Sequence, residues 1–395
     1  LGSNTTGSHN TSVGSRSLRL NTTGDNNTAV GDRALQANTT PSNNTAVGYR
    51  SLIGNTTADQ NTAVGADSMY TNSTGEYNVA MGYMALYSCA TTSYNVAIGH
   101  QALLNNTTSH NVAVGASALA SATTGNHNTA VGKGAADAVT TAGHNTAIGS
   151  HSLGSNTTGT HNTSVGRESL FNLDGGSYNT SVGAFSMKFA SGGTGSNNAS
   201  VGSYNLDGLT TGSYNVGLGH DTGRNITTGG NNVCLGHAAG HSSSPSGQIT
   251  TGSNNVVLGN NSISNLYCAD TSISSSDARD KTDVTDFTHG LSWIKELRPV
   301  TYRWDRRSWY TEDSNTKGVP DGSKKRDRLH IGFLAQEFME VEKKHGYASK
   351  KDDMLIVNQD EDEADPSYGI KYERLVPVLV NAIKELEARL SDLEG

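Results

Sequence analysis

Residues 27–48, NTAVGDRALQANTTPSNNTAVG, contain one complete repeat of this sequence and the first five residues of the next. The block Asn-[Thr/Val]-[Ala/Ser]-[Val/Ile/Leu]-Gly, with few departures, occurs fifteen times, and eleven of the fourteen steps between copies are 17 residues long. The other steps are 16, 19 and 23 residues. Low-complexity disorder does not produce so regular a period, which indicates a solenoid of stacked repeats. The glycines that close the blocks are Gly14, Gly31, Gly48, Gly65, Gly82, Gly99, Gly115, Gly132, Gly149, Gly166, Gly183, Gly202, Gly219, Gly236 and Gly259.

The residues inside each block predict a short β-strand. Alternation along a strand places Thr28 and Val30 on one face and Ala29 on the other. Neither face carries a charge, so we expect the strand to be buried on both sides. One face should fill the interior of a coil. The other should meet a neighbouring chain at close range, where only small side chains fit.

The rest of the repeat predicts a rung of a β-solenoid with two short strands and two turns. A second aliphatic residue, such as Leu35, follows four positions after most block glycines. A turn such as Asn21-Thr22-Thr23-Gly24 comes next, in which Asn and Gly tolerate positive φ. Stacking rungs about 4.8 Å apart would align the block asparagines in an amide ladder and give a rod of roughly 65–70 Å.

Charge divides the chain into two regions. Residues 1–268 carry 18 charged side chains, whereas residues 269–395 carry 46. We therefore predict a repeat shaft at 1–268, a linker at 269–281 and a C-terminal domain at 282–395. The net charge of −8 argues against nucleic acid as a partner, because phosphate binding requires a basic face. The sequence has no signal peptide and no apolar run of membrane length, so no membrane partner is expected. Because the chain begins inside a repeat and without Met, we expect an upstream anchor.

The shaft offers few residues typical of catalysis or metal binding. Carboxylates such as Asp137 and Asp207 stand singly on separate repeats, whereas glycoside hydrolysis needs a close pair. All three Trp lie beyond residue 290, so no sugar-stacking platform is evident. The cysteines have no metal-ligand spacing and are interpreted as isolated small residues: Cys89, Cys234 and Cys268. Five histidines directly precede a block asparagine, and we interpret them as exposed turn residues rather than metal ligands: His9, His110, His127, His144 and His161. We expect no metal and no cofactor.

The C-terminal domain has globular patterning. We predict a short helix at 290–297, strands at 300–304 and 330–333, and a helix at 335–345. The last segment spaces its aliphatic residues alternately by three and four, which predicts a coiled-coil seam. A single helix of this length is marginal in water, so the seam implies a partner, with packing against the same chain as the alternative. The seam residues are Val376, Leu379, Ile383, Leu386, Leu390 and Leu393.

The shaft repeat resembles the head repeats of trimeric autotransporter adhesins. The blocks Asn95-Val96-Ala97-Ile98-Gly99 and Asn145-Thr146-Ala147-Ile148-Gly149 are the most similar to that pattern. The resemblance covers residues 1 to about 260 and implies a homotrimer of coils packed around one axis.

Three stretches of the C-terminal region resemble the self-cleaving intramolecular chaperone of endosialidase-type phage tail spikes. They are 276–281 (SDARDK), 332–337 (GFLAQE) and 372–386, which contains YERL and AIKEL. The resemblance implies a domain that trimerises, directs folding of the β-shaft before it, and then cuts the chain beside Ser276 and Asp277. By position, Ser276 is the nucleophile and Lys281 the base.

Such a cut would be a single-turnover serine protease reaction. A Ser hydroxyl needs a base to remove its proton, and Lys serves only if desolvation lowers its pKa towards neutrality. Burial on trimerisation could supply that desolvation, so that cleavage would report correct assembly. Attack within the same chain replaces substrate binding with proximity.

The sequence therefore predicts a mainly β protein: a β-solenoid of about fifteen 17-residue rungs in a homotrimeric shaft, then a small α+β chaperone domain ending in a coiled-coil helix. The favoured function is a virion tail fibre or spike that attaches to a host cell-surface glycan or receptor and joins an upstream virion protein. The alternatives are a cellular trimeric adhesin at the extracellular surface and a glycan depolymerase spike. A nuclear regulator is disfavoured by the acidic repeat region.

Overall fold

A computed structural model describes residues 2–189, 192–265, 281–307, 310, 318–359 and 366–394. The chain divides into two compact units, Leu1–Ser264 and Asn265–Gly395. This division lies next to the predicted end of the shaft at residue 268 and the predicted linker at 269–281.

The first unit contains fifteen strands of three residues each, one for every block. All pair in parallel, and each strand lies between its sequence neighbours in one sheet. The strands are β1 (Thr11–Val13), β2 (Thr28–Val30), β3 (Thr45–Val47), β4 (Thr62–Val64), β5 (Val79–Met81), β6 (Val96–Ile98), β7 (Val112–Val114), β8 (Thr129–Val131), β9 (Thr146–Ile148), β10 (Thr163–Val165), β11 (Thr180–Val182), β12 (Ala199–Val201), β13 (Val216–Leu218), β14 (Val233–Leu235) and β15 (Val256–Leu258).

Equivalent block positions pair throughout the sheet. Thr28 is opposite Thr45, and the same register continues across the 23-residue step, where Val233 is opposite Val256. Extra residues are therefore accommodated outside the strands. The predicted β-solenoid is confirmed.

The small residue of each block lies inside the coil. Ala29 and its equivalents are fully buried together with the aliphatic row of Leu35, whereas the flanking Thr28 and Val30 remain partly exposed. A Cβ placed on Gly217, in the middle of β13, would lie 2.0 Å from Asn205 Oδ1 and 3.0 Å from Leu206 Cγ, so the side chains opposite β13 leave little room there. The prediction that the small residues meet a neighbouring chain is therefore wrong, because the larger residues of each strand face outward.

The second side of each rung is a run of turns instead of the predicted second strand. Arg33 and Leu35 have φ of 61° and 48°, which prevents an extended backbone there. Rungs remain joined on this side because Arg33 N–H donates to Ser15 O of the preceding rung (2.8 Å) and Leu35 N–H to Ser51 O of the next (3.1 Å). These bonds replace a second ladder of strands.

Glycine has two separate uses in the rung. Gly31 has φ of 137°, and a Cβ there would lie 2.4 Å from Gly48 O, so both conformation and space require glycine. Asn21 and Gly24 do not have positive φ, and the expectation of left-handed backbone in that turn is wrong. Gly24 is needed for space, because its Cβ would lie 2.2 Å from Pro41 O of the next rung.

The predicted asparagine ladder is present. Asn128 illustrates its hydrogen bonds: Asn128 N–H donates to Asn111 Oδ1 (3.0 Å), Asn128 Nδ2 donates to Ala142 O (2.9 Å), and Asn145 N–H donates to Asn128 Oδ1 (3.0 Å). Each side chain thus satisfies one backbone C=O and one backbone N–H on the side of the following rung. A second amide ladder, which the sequence analysis did not predict, runs through Asn4, Asn21, Asn38, Asn55 and Asn72.

The second unit is a small α+β domain with helices α1 (Leu291–Ile294), α2 (Ala335–Lys344) and α3 (Leu375–Glu394). Its antiparallel pairs are β16 (Val300–Tyr302) with β17 (His330–Gly332), and β18 (Val357–Gln359) with β19 (Tyr368–Ile370). Short 3-10 turns occupy Lys351–Asp353 and Tyr372–Arg374. The four predicted elements between 290 and 345 are present with slightly shorter bounds, whereas β18 and β19 were not predicted.

The core of this unit is formed around Trp293 and Phe338, both buried. The fully buried carboxylate of Glu342 on α2 accepts backbone N–H donations from Leu355 (3.3 Å), Ile356 (2.7 Å) and Val357 (3.2 Å). Among the residues that the structure describes, no helix is both long and apolar enough to cross a membrane.

Candidate functional site

The outward face of the shaft sheet is an uncharged stripe. It consists of the first and last residues of strands β1–β15, which are Thr, Val, Ala, Met, Ile or Leu in every case, and we call it the outward stripe. Val13, Met81, Val201, Leu218 and Leu258 are between 43 and 56 % exposed. A continuous uncharged surface across fifteen strands is typical of an interaction site.

A second exposed surface is a column of stacked rings, which we call the ring row. The centroids of successive rings are 4.8–5.2 Å apart and their planes differ by at most 14°. Each residue directly precedes a block asparagine and has φ between 56° and 67°. Stacking offsets part of the energy of this left-handed backbone. The ring row comprises Tyr77, Tyr94, His110, His127, His144, His161 and Tyr178.

The interpretation of these histidines as exposed turn residues is confirmed for His110, His127, His144 and His161. Their stacking was not predicted, although tyrosines at the same block position, such as Tyr94 and Tyr178, gave a sequence signal for it. The ring faces contact one another, so the edges of the rings are what the surface presents to solvent.

The described cysteines do not form a reactive site. Cys89 and Cys234 are buried free thiols. Burial raises the pKa of Cys89 to about 12 and that of Cys234 to about 11, so both remain protonated at neutral pH. Cys268 lies outside the described residues.

Several shaft carboxylates are paired with bases of neighbouring rungs. Arg50 Nε lies 2.8 Å from Asp67 Oδ1, and Lys188 Nζ lies 2.9 Å from Glu168 Oε2. Lys188, and to a smaller extent Arg167, lowers the pKa of Glu168. These contacts join rungs to one another.

Helix α3 presents the predicted seam to solvent. Its opposite face is held by its own domain: Leu375, Val378 and Ala382 are buried, and Leu291 N–H donates to both carboxylate oxygens of Glu385 at 3.3 Å. Packing of the seam against its own chain is therefore excluded for the described residues. The exposures are 57 % for Val376, 46 % for Leu379, 65 % for Ile383, 54 % for Leu386, 56 % for Leu390 and 84 % for Leu393.

Two of the three chaperone-like stretches are brought together. The 332–337 stretch forms the end of β17 and the start of α2, and Phe333 N–H donates to Tyr372 Oη (3.1 Å) in the 372–386 stretch. Arg374 Nη1 donates to Leu355 O (2.7 Å), and Arg298 pairs with Glu337. These contacts hold the N-terminal end of α3 in place relative to α2.

The predicted cleavage residues Ser276 and Asp277 lie outside the described residues. Lys281 is described and is exposed in the single chain. The burial that a lysine base needs would therefore have to come from other chain segments, and the roles of Ser276 and Lys281 stay predictions.

Residues 276–347 match the family described as the chaperone of endosialidase. The match includes the predicted cleavage residues and runs through α1, β16, β17 and α2. No curated protein and no solved structure significantly matches the chain. The C-terminal region thus carries an endosialidase-type chaperone domain behind a β-solenoid shaft, a construction like that of a tail spike.

Proposed function

We propose that this chain forms a homotrimeric tail fibre or tail spike of a virion. In this proposal the C-terminal domain is a folding chaperone that joins three chains and then cleaves itself from the shaft, and the shaft attaches to a host cell-surface glycan or receptor. The proposal rests mainly on the exposed seam of α3. The match to the endosialidase chaperone family also supports it.

The seam favours association of several copies of α3. Fully burying an exposed Leu or Ile side chain contributes about 1.5–3 kcal/mol, so six half-exposed side chains would each gain about 1 kcal/mol in a coiled coil. Across three helices this amounts to about 18 kcal/mol, set against about 4–15 kcal/mol of translational and rotational freedom lost in each of the two association steps. The 3-4 spacing favours helices that supercoil around one another.

The outward stripe supports the same assembly in the shaft. In a trimer, stripes of Thr, Val, Ile and Leu from three chains would pack together and be removed from water. The stripe alone does not fix the alignment of the chains, because a shift by one rung brings equivalent side chains into contact again. Joining the chains at one end sets the register and raises their local concentration.

Slow folding gives a further reason for a chaperone. Pairing fifteen short parallel strands across chains involves many non-local contacts, and partly wound coils expose unpaired edges. Deleting residues 277–395 before synthesis should therefore give insoluble shaft. Removing them after assembly should leave the shaft trimer intact, and soluble native shaft from the deletion variant would contradict the chaperone role.

The trimer is tested by native mass spectrometry of the full chain. Ile383→Asp places a charge in the centre of the seam and should convert the assembly to monomers or to dissociating species. Lys384→Asp, at an exposed position next to it but off the seam, is the matched control and should remain trimeric. A monomer of about 41 kDa for the unmodified chain would refute the proposal.

Self-cleavage is tested separately on a denaturing gel. We expect two fragments from the unmodified chain, and only the full-length chain from Ser276→Ala and from Lys281→Met. An unchanged fragment pattern in Ser276→Ala would remove this serine from the reaction without affecting the proposed trimer.

The exposed ring row supports the attachment role. The interior of the shaft is filled by the side chains that hold the rungs together, so binding would have to take place on the surface. Assembled shaft should bind host cells or immobilised host glycans. Release of reducing sugar from those glycans would instead favour a depolymerase. Absence of any binding would leave the shaft as a spacer and contradict attachment through this part of the chain.

A further inference from the structure

The last three rungs of the shaft bring two histidines and a carboxylate together on the surface. His220 and Asp221 follow β13, and His237 follows β14 one rung further on. One ligand atom from each of the three lies within 4.8 Å of the others. His220 Nδ1 is 3.1 Å from Asp221 Oδ2, and the rings of His220 and His237 stack with centroids 5.8 Å apart.

This donor set suits a divalent transition metal. Imidazole nitrogen and carboxylate oxygen bind Zn²⁺ at about 2.0–2.2 Å, which places two ligands of a tetrahedral ion about 3.3 Å from each other. The present spacing must therefore close by at most about 1.5 Å. Both histidine side chains are exposed, so rotation about their side-chain bonds can provide that movement without displacing the backbone.

The surroundings orient these ligands. Asn260 Nδ2 lies 3.1 Å from His237 Nδ1; with the amide turned over, Asn260 Oδ1 accepts from Nδ1–H and leaves Nε2 for the metal. Arg224 Nη1 donates to Asp221 Oδ1 (3.1 Å), and Arg224 Nε lies 3.9 Å from Asp207 Oδ2. Arg224 therefore competes with a metal ion for Asp221, while Asp207 also interacts with Lys188.

The ring row provides a direct contrast. His144 stacks between His127 and His161 at 4.8–5.0 Å. It belongs to no group of three metal-ligating side chains among the described residues. Parallel rings 5 Å apart cannot place two nitrogens on one ion, whereas the carboxylate of Asp221 supplies the additional ligand between His220 and His237.

We propose that His220, Asp221 and His237 form a binding site for one divalent transition-metal ion of the zinc class per chain, with water completing the coordination. The bound ion links the rungs of β13 and β14 at the C-terminal end of the shaft. This site does not depend on the proposed trimer or on self-cleavage.

The test is calorimetric titration of the full-length chain with ZnCl2 at pH 7.5, together with Co²⁺ absorption spectra that report tetrahedral coordination. We expect one ion per chain. His237→Ala and Asp221→Asn should each weaken binding at least tenfold, since even the loss of residues that only orient ligands weakens metal binding by about 10–100-fold. His144→Ala is the matched control and should bind like the unmodified chain.

Arg224→Met gives an independent test with the opposite sign, because removing the competing cation from Asp221 should tighten zinc binding. Circular dichroism of each variant checks that the shaft is folded. The proposal is refuted if zinc does not bind, if His144→Ala weakens binding as much as His237→Ala, or if the stoichiometry follows the total number of histidines.

Discussion

Replacing Asn128 by Ala tests whether the asparagine ladder stabilises the solenoid. The Asn128 side chain is buried and is the only observed partner of two backbone groups, Ala142 O and Asn145 N–H. Alanine can bond to neither of them. Both groups would remain inside the stack, where water does not easily reach.

The size of the effect follows from these two groups. Leaving one buried donor or acceptor unsatisfied costs about 1–3 kcal/mol, so two of them cost about 2–6 kcal/mol. In a solenoid, this loss is concentrated at the interface of the altered rung with the rung that follows it. The matched control is Asn126→Ala, the same change two residues earlier, where the side chain is exposed and the expected effect is within about 0.5 kcal/mol.

The assay is native-state hydrogen exchange read by mass spectrometry, combined with guanidinium unfolding followed by circular dichroism. We expect amides of the rungs containing residues 111–145 to lose protection in Asn128→Ala and to keep it in Asn126→Ala. Equal exchange and equal unfolding midpoints in the two variants would show that the ladder does not stabilise the stack.

Three further perturbations test other features of the structure. Gly132→Ala should prevent soluble expression, because Gly132 has φ of 137° and a Cβ there would lie 2.5 Å from the backbone of the next rung. Gly247→Ala is the control: a Cβ there would have nothing within 4 Å, and the change should lower stability by only about 1–2 kcal/mol. Glu342→Ala should destabilise the C-terminal domain by at least about 3 kcal/mol, measured by urea unfolding, because three backbone donors lose their acceptor. Glu342→Gln keeps one acceptor oxygen and should cost less. Burial raises the pKa of Asp137, against a smaller opposing effect of His151, so at this carboxyl the folded state binds more protons than the unfolded state and its contribution to stability falls as the pH rises from about 4. Asp137→Asn should remove that contribution, so the melting temperature of the variant relative to the unmodified chain should rise from pH 3 to 7.

The stacking and register of the solenoid were predictable because both depend on features visible in the sequence. The 17-residue period fixes which residues pair, and an Asn at the same position of every block indicates a ladder of amides. The direction in which each strand faces was not predictable from the same pattern. Alternation separates Ala29 from Val30 but does not say which of them points into the coil, and the decisive feature is the leucine row opposite the strand.

The backbone conformation of the turns was the other feature that the sequence did not predict. Residues such as Arg33 and Leu35 rarely adopt positive φ, and sequence patterns assign that conformation to Gly and Asn. Here the bonds between rungs stabilise it, and such bonds form only when neighbouring rungs are already stacked. In the candidate site, the seam of α3 was predictable from its spacing. The stacking of His220 and His237 follows from their separation by one repeat, but the position of Asp221 beside both rings does not, because the repeat does not specify side-chain directions.

The structural demands of the rung determine where the shaft can carry specific chemistry. The block asparagine and glycine are required for hydrogen bonds and space, the small and leucine positions fill the interior, and the outward stripe must remain uncharged if it packs against other chains. Two positions do not have to meet these structural requirements: the residue before the block asparagine and the residue after the block glycine. These positions hold the ring row and the histidines of the proposed metal site, and in different rungs they carry Tyr, His, Asn, Gln, Asp, Ser, Ala, Lys or Arg. A change at either position alters what the surface binds while the hydrogen bonds of the stack remain, so binding variants should be sought there and stability variants at the asparagine and glycine.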